Sequence, residues 1–356
     1  MFALMPVEGV TGSGKIRFRW KSWRVMYSIL LTLSLFLPMY ACLYDVATHE
    51  PSIDRITAVA FFANSICVHC IFLKLAMRWP ELMKKWQNVE KAMKAYGYPK
   101  NLNFQINSLT VTILGLAVVE HVLSVINHLL EADELKTNGQ DIFEYFFAII
   151  AFPQVYALAE YSLWSGFFLQ IITFISTFSW NYIDLFVMLM SVGLAARFRQ
   201  VADRIDRYSN DKVCSKNKDE YLWRGLRNDY ARLSGLCKTL NGHISGLVAL
   251  SFTSNLFYIL VQLFYSLKKM DDAVGKVYFF FSFGFLLGRA VCVCLYGAWI
   301  HDESTRPLLT LNTVSSEVYN DEIKRLTTHV CYDAPALTGK NFFTLTRELI
   351  LDVSAS

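Results

Sequence analysis

Polar side chains recur at helical spacing inside three long apolar segments of this sequence. Residues three or four positions apart lie on one face of a helix, so each set predicts a polar helix face. Carboxylate, amide and phenol groups beside flat aromatic rings suit a neutral polyol such as a sugar, whose hydroxyls exchange hydrogen bonds while its C–H face lies on a ring. The candidate ligand-binding residues are Glu120, His121, His128, Glu160, Trp164, Gln170, Asn255, Tyr258 and Gln262.

Two interpretations of these polar faces remain open. Polar residues within helix bundles often hydrogen-bond from one helix to the next, which is a structural role. The alternative is a shared cavity, because a carboxylate such as that of Glu120 is costly in lipid and must face protein or water. Arg289 lies in the middle of the sixth apolar segment. We expect it to pair with an intramembrane acid, with Glu120 as one candidate, and to have a structural or gating role.

No residue pattern indicates catalysis. The segment Gly9–Lys15 fits the G-x-x-x-x-G-K part of a phosphate-binding loop, but Ile16 stands where a Ser or Thr would hold magnesium and no strand precedes it. The sequence contains no H-E-x-x-H motif, no set of Cys and His at metal-ligand spacing and no nucleophile elbow. We therefore expect no catalytic residue, no metal and no cofactor, and a protein that is not an enzyme.

The polar faces lie on segments long enough to cross a membrane. The chain has 356 residues, 54% of them hydrophobic, and its mean hydropathy is +0.32. A hydrocarbon core about 30 Å thick requires roughly 20 apolar helical residues, and a lone strand would leave backbone groups unpaired in lipid. The sequence predicts an all-α integral membrane protein with six transmembrane helices: Val25–Tyr44, Ile56–Met77, Leu109–Leu130, Phe167–Leu194, Ile244–Leu267 and Val277–Ile300.

Positive charge alternates along the hydrophilic stretches between these helices. Of the 34 Lys and Arg residues, 27 fall in the first, third, fifth and last stretches, which the positive-inside rule places in the cytoplasm together with the N-terminus. The net charge is +4. Because the basic residues lie along the cytoplasmic face of the lipid bilayer, this charge does not indicate nucleic-acid binding. The predicted organisation is a cytoplasmic N-terminus (1–24), helices one to four (25–194) with an outer-mouth segment (131–159), a cytoplasmic anchor region (195–243), helices five and six (244–300) and a cytoplasmic segment (301–356).

Three strings of residues resemble the insect gustatory receptors, in particular their sugar-receptor branch. They are GLAARFRQVADRI (Gly193–Ile205), GRAVCVCLYGAWIHDESTRPLL (Gly288–Leu309) and ALTGKNFFTLTRELIL (Ala336–Leu351). The resemblance implies the seven-helix fold of gustatory and odorant receptors and a sugar-gated, non-selective cation channel. It also implies a homo- or hetero-tetramer in the plasma membrane of gustatory receptor neurons, with the ligand among the outer halves of the first six helices.

The sequence departs from the family pattern at its end. In that family a seventh helix lines the pore, whereas this sequence ends at Asp352–Ser356, so we expect the pore helix to be missing from the chain.

Two other classes of membrane protein are alternatives to a gustatory receptor channel. A G-protein-coupled chemoreceptor would place its N-terminus outside, against the charge pattern, and a sugar transporter would show repeated halves and interrupted helices.

Overall fold

The computed structural model describes residues 4–10, 15–136, 139, 141–210, 216–268, 273–316 and 318–349. Most of the Gly9–Lys15 motif, residues 211–215 of the predicted anchor region and the final residues 350–356 lie outside these ranges. The described chain is almost entirely helical. Its helices are α1 (Trp23–Ser34), α2 (Phe36–Thr48), α3 (Ile53–Ala92), α4 (Leu102–Leu135), α5 (Ile142–Glu144), α6 (Pro153–Tyr156), α7 (Leu163–Asn210), α8 (Lys216–Ser266), α9 (Ala273–Thr305), α10 (Pro307–Leu311) and α11 (Asp321–Tyr332).

Six helical segments in the described residues are long and apolar enough to cross a membrane, which confirms the predicted number. They are Trp23–Thr48, Ile53–Ala92, Leu102–Leu135, Leu163–Ser209, Glu220–Ser266 and Ala273–Leu311. The first combines α1 and α2, which meet at Leu35. Pro38 follows three residues later, and its missing N–H and bulky ring disfavour a regular helix over the preceding turn. The chain is therefore a multi-pass membrane protein whose first span has a break.

Helix α7 is the most buried of the six segments, and α4 is the least buried. This explains why α7 carries many polar residues although its composition is apolar. Such residues are costly against lipid, and a helix surrounded by protein offers them partners. The polar residues of α7 that are buried include Ser176, Thr177, Ser179, Asn181, Asp184 and Ser191.

The described chain divides into two compact units. Unit 1 comprises residues 1–77, 111–184 and 250–290, and unit 2 comprises 78–110, 185–249 and 291–356. In unit 1, the segment predicted to cover the outer mouth forms α5, a π-helical stretch (Tyr145–Ala151) and α6. Its Phe146, Phe147 and Phe152 are buried in one apolar cluster, so this segment is an integral part of the unit.

Unit 2 is held together by an apolar stripe on α8 and by ion pairs. Leucines at a spacing of three to four residues along α8 form this stripe, which is buried within the unit at Leu226, Leu233 and Leu240 among others. Arg227 Nε donates to Glu322 Oε2 of α11 over 2.5 Å. This hydrogen bond, more than any other contact, lowers the pKa of the Glu322 carboxyl. The pair stabilises the unit at neutral pH, where the carboxylate is ionised.

The string Ala336–Leu351 contains a small hairpin in unit 2. Strand β1 (Thr338–Gly339) pairs antiparallel with strand β2 (Phe343–Thr344), and Lys340 and Asn341 between them have positive φ angles of 52° and 62°. The side chain of Asn241 on α8 accepts from the Thr338 backbone N–H over 2.8 Å. The hairpin is thus fixed to α8 by a specific side-chain contact.

Gly166 in unit 1 allows α7 to approach the π-helical stretch closely. A Cβ atom at this position would lie 2.5 Å from the ring of Phe147, which is itself fully buried. We expect Gly166→Ala to lower the free energy of unfolding by about 1–3 kcal/mol through overpacking. Gly115→Ala is the matched control, since a Cβ there meets nothing within 4 Å. Thermal unfolding in detergent measures both, and equal midpoints would contradict the close packing.

Candidate functional site

Unit 1 contains a cavity with a volume of about 470 Å³, within the range of small-molecule sites. Its walls come from α3, α4, α7, α8, α9 and the segment between α5 and α6. Seven residues singled out from the sequence line it: Glu120, His121, His128, Gln170, Tyr258, Gln262 and Arg289. The structure therefore brings together polar faces that are more than a hundred residues apart in the chain.

One wall of the cavity is formed by α4 together with α7 and α9. The Ser282 hydroxyl donates to Glu120 Oε1 over 2.9 Å, which gives this carboxylate one polar partner from α9. Gln170 Nε2 lies 3.5 Å from His121 Nε2, and the His121 ring packs edge-on against Phe174 with centroids 5.1 Å apart. This wall presents carboxylate, imidazole and amide groups beside an aromatic ring.

Several polar groups of the cavity lining have no hydrogen-bond partner among the described residues. They are buried side-chain atoms of Thr173, Trp180, Tyr258 and Gln262. Buried polar groups are normally paired, so unpaired ones require an explanation. Here they form a set of hydroxyl, indole and amide groups that a hydroxyl-rich ligand would satisfy. The rings of Trp180 and Tyr258 also pack against each other, with centroids 4.4 Å apart and planes tilted by 38°, which places two aromatic rings in the same wall.

Arg289 lies between the cavity and a buried polar network. Its Nε is 2.8 Å from Asp184 Oδ2, and both side chains are almost completely buried. The guanidinium also donates to Asn181 Oδ1 and, over 3.2 Å, to Asn255 Oδ1. Asn255 Nδ2 in turn donates to Asp184 Oδ2 over 3.1 Å. These contacts connect α7, α8 and α9 at one end of the cavity.

The acid that pairs with Arg289 is Asp184, not Glu120. An intramembrane partner was expected, and burial explains why it must exist, because a charge without a partner in a low-dielectric interior costs several kcal/mol. The face of the guanidinium is covered by the Trp180 ring, 4.4 Å from its centroid. Arg289 is therefore neutralised on one side and in contact with an aromatic cavity residue on the other.

Three of the predicted ligand-binding residues lie outside the cavity wall. Asn255 is buried in the network around Arg289, Glu160 is exposed and precedes the start of α7, and Trp164 is 82% exposed. With 3.6 residues per turn, Trp164 is rotated by about 120° from Gln170 around the helix axis. The two residues therefore cannot share one face of α7, although both belong to the same polar stretch.

Several residues of the wall were not predicted from the sequence. On α7, Thr173, Thr177 and Trp180 continue the face of Gln170 at helical spacing. On α9, Tyr278, Ser282 and Phe285 precede Arg289 at steps of four, three and four. Their spacing indicated one helix face. However, threonine and serine hydroxyls in a helix often donate to the backbone of their own helix, as the Thr177 hydroxyl does to the Thr173 carbonyl, so these residue types alone did not indicate a cavity wall.

Asp54 is a further missed residue, since the sequence placed it in a loop. Helix α3 begins at Ile53, and the Asp54 carboxylate accepts a hydrogen bond from the Tyr265 hydroxyl at the cavity wall.

Within the described residues, no three His, Cys, Asp or Glu side chains are close enough to hold a metal ion. The chemistry offered by the wall is hydrogen bonding and aromatic contact.

Comparisons with known proteins agree that this chain is similar to receptors for sugars. A family model described as "Trehalose receptor" matches residues 1–356. The gustatory receptor for sugar taste 64f of Drosophila melanogaster is 34% identical, over 100% of this chain and 75% of its own length. The gustatory receptor 5a for trehalose of the same species is 29% identical, over 100% of this chain and 79% of its own length.

A solved structure shares the fold. The insect olfactory receptor OR5 from Machilis hrabei, in complex with eugenol, matches with a TM-score of 0.70 and 12% identity, over 99% of this chain and 91% of that one. At this identity the likeness concerns the fold alone. It confirms the predicted gustatory and odorant receptor fold, while the cytoplasmic position of the N-terminus stays a prediction.

The buried pair predicts strong energetic coupling between Asp184 and Arg289. We expect Asp184→Asn and Arg289→Gln each to lower the free energy of unfolding by about 3–5 kcal/mol, because each leaves one buried group unpaired. The double variant should lose much less than the sum, which thermal unfolding in detergent measures. Asp45→Asn with Arg55→Gln is the matched control cycle, since the side chains of that pair are partly exposed, at 24% and 31%, and should couple by no more than about 1 kcal/mol. Additive losses at 184 and 289 would contradict the pair.

Proposed function

The chain belongs to the Trehalose receptor family, among the insect gustatory receptors for sugar, and from this premise we propose that it is a sugar-sensing subunit of a ligand-gated, non-selective cation channel. The channel would be a homo- or hetero-tetramer with other gustatory receptors in the plasma membrane of gustatory receptor neurons. We place the sugar in the cavity of unit 1, and we propose no enzymatic activity.

The observation that carries this proposal is the set of unpaired polar atoms in the cavity wall. A sugar presents many hydroxyls, each able to donate and accept, and so matches threonine, tyrosine and glutamine groups that lack protein partners. An apolar ligand would leave these groups unsatisfied, at a cost of about 1–3 kcal/mol each. The paired rings of Trp180 and Tyr258 suit the C–H face of a pyranose.

The charges around the cavity favour a neutral ligand. The guanidinium of Arg289 is already neutralised by Asp184, so it attracts an anion weakly. The remaining charged groups of the wall are the carboxylates of Glu120 and Asp54, which would repel an anionic ligand and accept hydrogen bonds from hydroxyls. Relatives of this chain are named for sugar taste and for trehalose, and a neutral sugar is consistent with those names.

We propose that Arg289 couples ligand binding to the channel gate. A sugar that contacts Trp180 would touch the ring that covers the Arg289 guanidinium. This guanidinium connects α7, α8 and α9 through its contacts with Asp184, Asn181 and Asn255. A ligand that binds more tightly to one arrangement of these helices shifts the equilibrium toward it. We therefore assign Arg289 a gating role and no primary contact with the sugar.

The organisation along the chain follows from the charge pattern. We propose that residues 1–24, 195–243 and 301–356 are cytoplasmic and that the cavity opens to the outside, since positive charge is retained in the cytoplasm during insertion. The segment 131–159 would then lie at the outer mouth, where its aromatic residues Phe146 and Phe152 form part of the cavity wall.

Replacing cavity residues should weaken the response to sugar. We expect Glu120→Gln and Tyr258→Phe each to raise the sugar concentration for half-maximal current by roughly tenfold, the effect of losing one or two hydrogen bonds. The full chain is expressed in oocytes, alone and together with a related sugar receptor, and sugar-evoked current and surface labelling are recorded. Trp164→Ala is the matched control, since this side chain is exposed outside the cavity.

The results of these recordings test the assignment of the cavity and the proposed function separately. Unchanged dose–response curves for both cavity variants, with normal surface expression, would contradict the assignment of the cavity. A wild-type chain that reaches the surface but gives no sugar-evoked current in either combination would contradict the proposed function itself.

The proposed threading predicts which segments are accessible on intact cells. An epitope tag at the N-terminus should be labelled only after permeabilisation, because residues 15–24 carry five basic residues that favour the cytoplasm. A tag inserted at Gly139 in the acidic loop after α4 should be labelled without permeabilisation. The reverse pattern would exclude this threading and favour a G-protein-coupled receptor topology.

A further inference from the structure

Unit 2 contains a second and larger cavity, of about 1130 Å³. It is formed by the turn between α3 and α4, by α7 and by one residue of α9. Four of its lining residues are cationic, Lys100, Arg199, Arg204 and Arg207, whereas two are acidic, Asp203 and Asp206. The lining therefore has two more positive than negative charges.

The acidic residues of this cavity are already paired with a residue outside it. Arg306 lies 2.7 Å from Asp203 Oδ1 and 3.0 Å from Asp206 Oδ2, and it is not part of the lining. Asp206 also accepts from the Thr310 hydroxyl. These carboxylates are therefore occupied by groups behind the wall and are less available to neutralise the cations that line the cavity.

Several of the cations have no acidic partner. Arg199 pairs with Glu303, but among the described residues no carboxylate lies within ion-pair distance of Lys100, Arg204 or Arg207. Arg204 is half-buried and is held in place by aromatic rings, with its guanidinium 4.6 Å from the Tyr96 centroid and 3.5 Å from the Tyr208 hydroxyl. A half-buried arginine without a carboxylate is expected to bind an external anion.

Aromatic and amide groups complete the lining. Tyr96, Tyr98, Tyr208 and Trp299 provide rings, and Asn101, Gln105 and Gln200 provide amides. The Tyr96 hydroxyl donates to Asp229 over 2.9 Å, and burial raises its pKa above the usual value, so it remains neutral and does not compete with an anion. Rings, amides and cations in one cavity fit a ligand with a polyol ring and several phosphates.

We propose that this cavity binds a multiply phosphorylated inositol ring. Two sources share that chemistry: the headgroup of a phosphoinositide in the membrane and a soluble inositol phosphate. Arginine and lysine bind phosphate oxygens through charge-assisted hydrogen bonds, and basic pockets at the cytoplasmic ends of transmembrane helices bind such headgroups. Tyr98 of the lining and Phe104, which precedes the lining residue Gln105, are 61% and 75% exposed, as suits an interfacial position, so the lipid form is the principal expectation.

The test uses the full chain in phosphatidylcholine nanodiscs and follows its thermal unfolding, because a ligand that binds the folded state raises the midpoint. One arm adds soluble inositol trisphosphate, and a second replaces part of the lipid with phosphatidylinositol 4,5-bisphosphate. A third contains phosphatidylserine at matched charge. We expect a dose-dependent rise in the second arm that the third does not reproduce. A rise in the first arm alone would assign the site to the soluble ligand.

The variants Lys100→Gln and Arg204→Gln should each weaken binding roughly tenfold, and the double variant about a hundredfold. The matched control is Lys91→Gln with Lys324→Gln, which removes the same charge from exposed residues of the same unit that do not line this cavity. Arg204→Lys, which keeps the charge, should retain most of the shift and carries the test if Arg204→Gln fails to fold. No shift in any arm, an equal shift with phosphatidylserine, or an equal loss in the control would overturn the proposal.

Discussion

The cost of placing polar and charged groups in an apolar helical bundle organises the first unit. Asp184 and Arg289 are both almost completely buried, and each would be strongly destabilising without the other. Because they sit on α7 and α9 and are completed by Asn255 on α8, the pair fixes how these three helices meet. The cavity lies directly beside this network, so its shape depends on an ion pair that no ligand needs to touch.

The two cavities differ in which of their charged groups are paired within the protein. In unit 1 the cation is neutralised within the protein, and the wall that remains contains unpaired hydroxyl and amide groups. In unit 2 the carboxylates are neutralised by Arg306, and cations without carboxylate partners remain. Internal pairing therefore decides which chemical groups face each cavity, and composition alone would not reveal the difference. One lining suits neutral hydroxyls and the other suits phosphates.

The sequence predicted those features that depend on local periodicity. Six apolar stretches became six long helices, and most of the polar faces on α4 and α8 reached one cavity, because helical spacing fixes which residues share a face. It could not predict how each helix is rotated within the bundle, so it did not show which face of α7 meets the cavity, the face of Thr173 or that of Trp164. The partner of Arg289 was missed for the same reason, since every intramembrane acid looks alike until the helices are packed.

The unpaired polar atoms in the cavity of unit 1 also bear on how such a receptor evolves. A buried group without a partner, such as the Tyr258 hydroxyl, costs stability, so replacing it with an apolar group of similar shape would stabilise the fold while removing a hydrogen-bonding group from the cavity. Selection for detection and selection for a stable fold thus oppose each other at the same side chains.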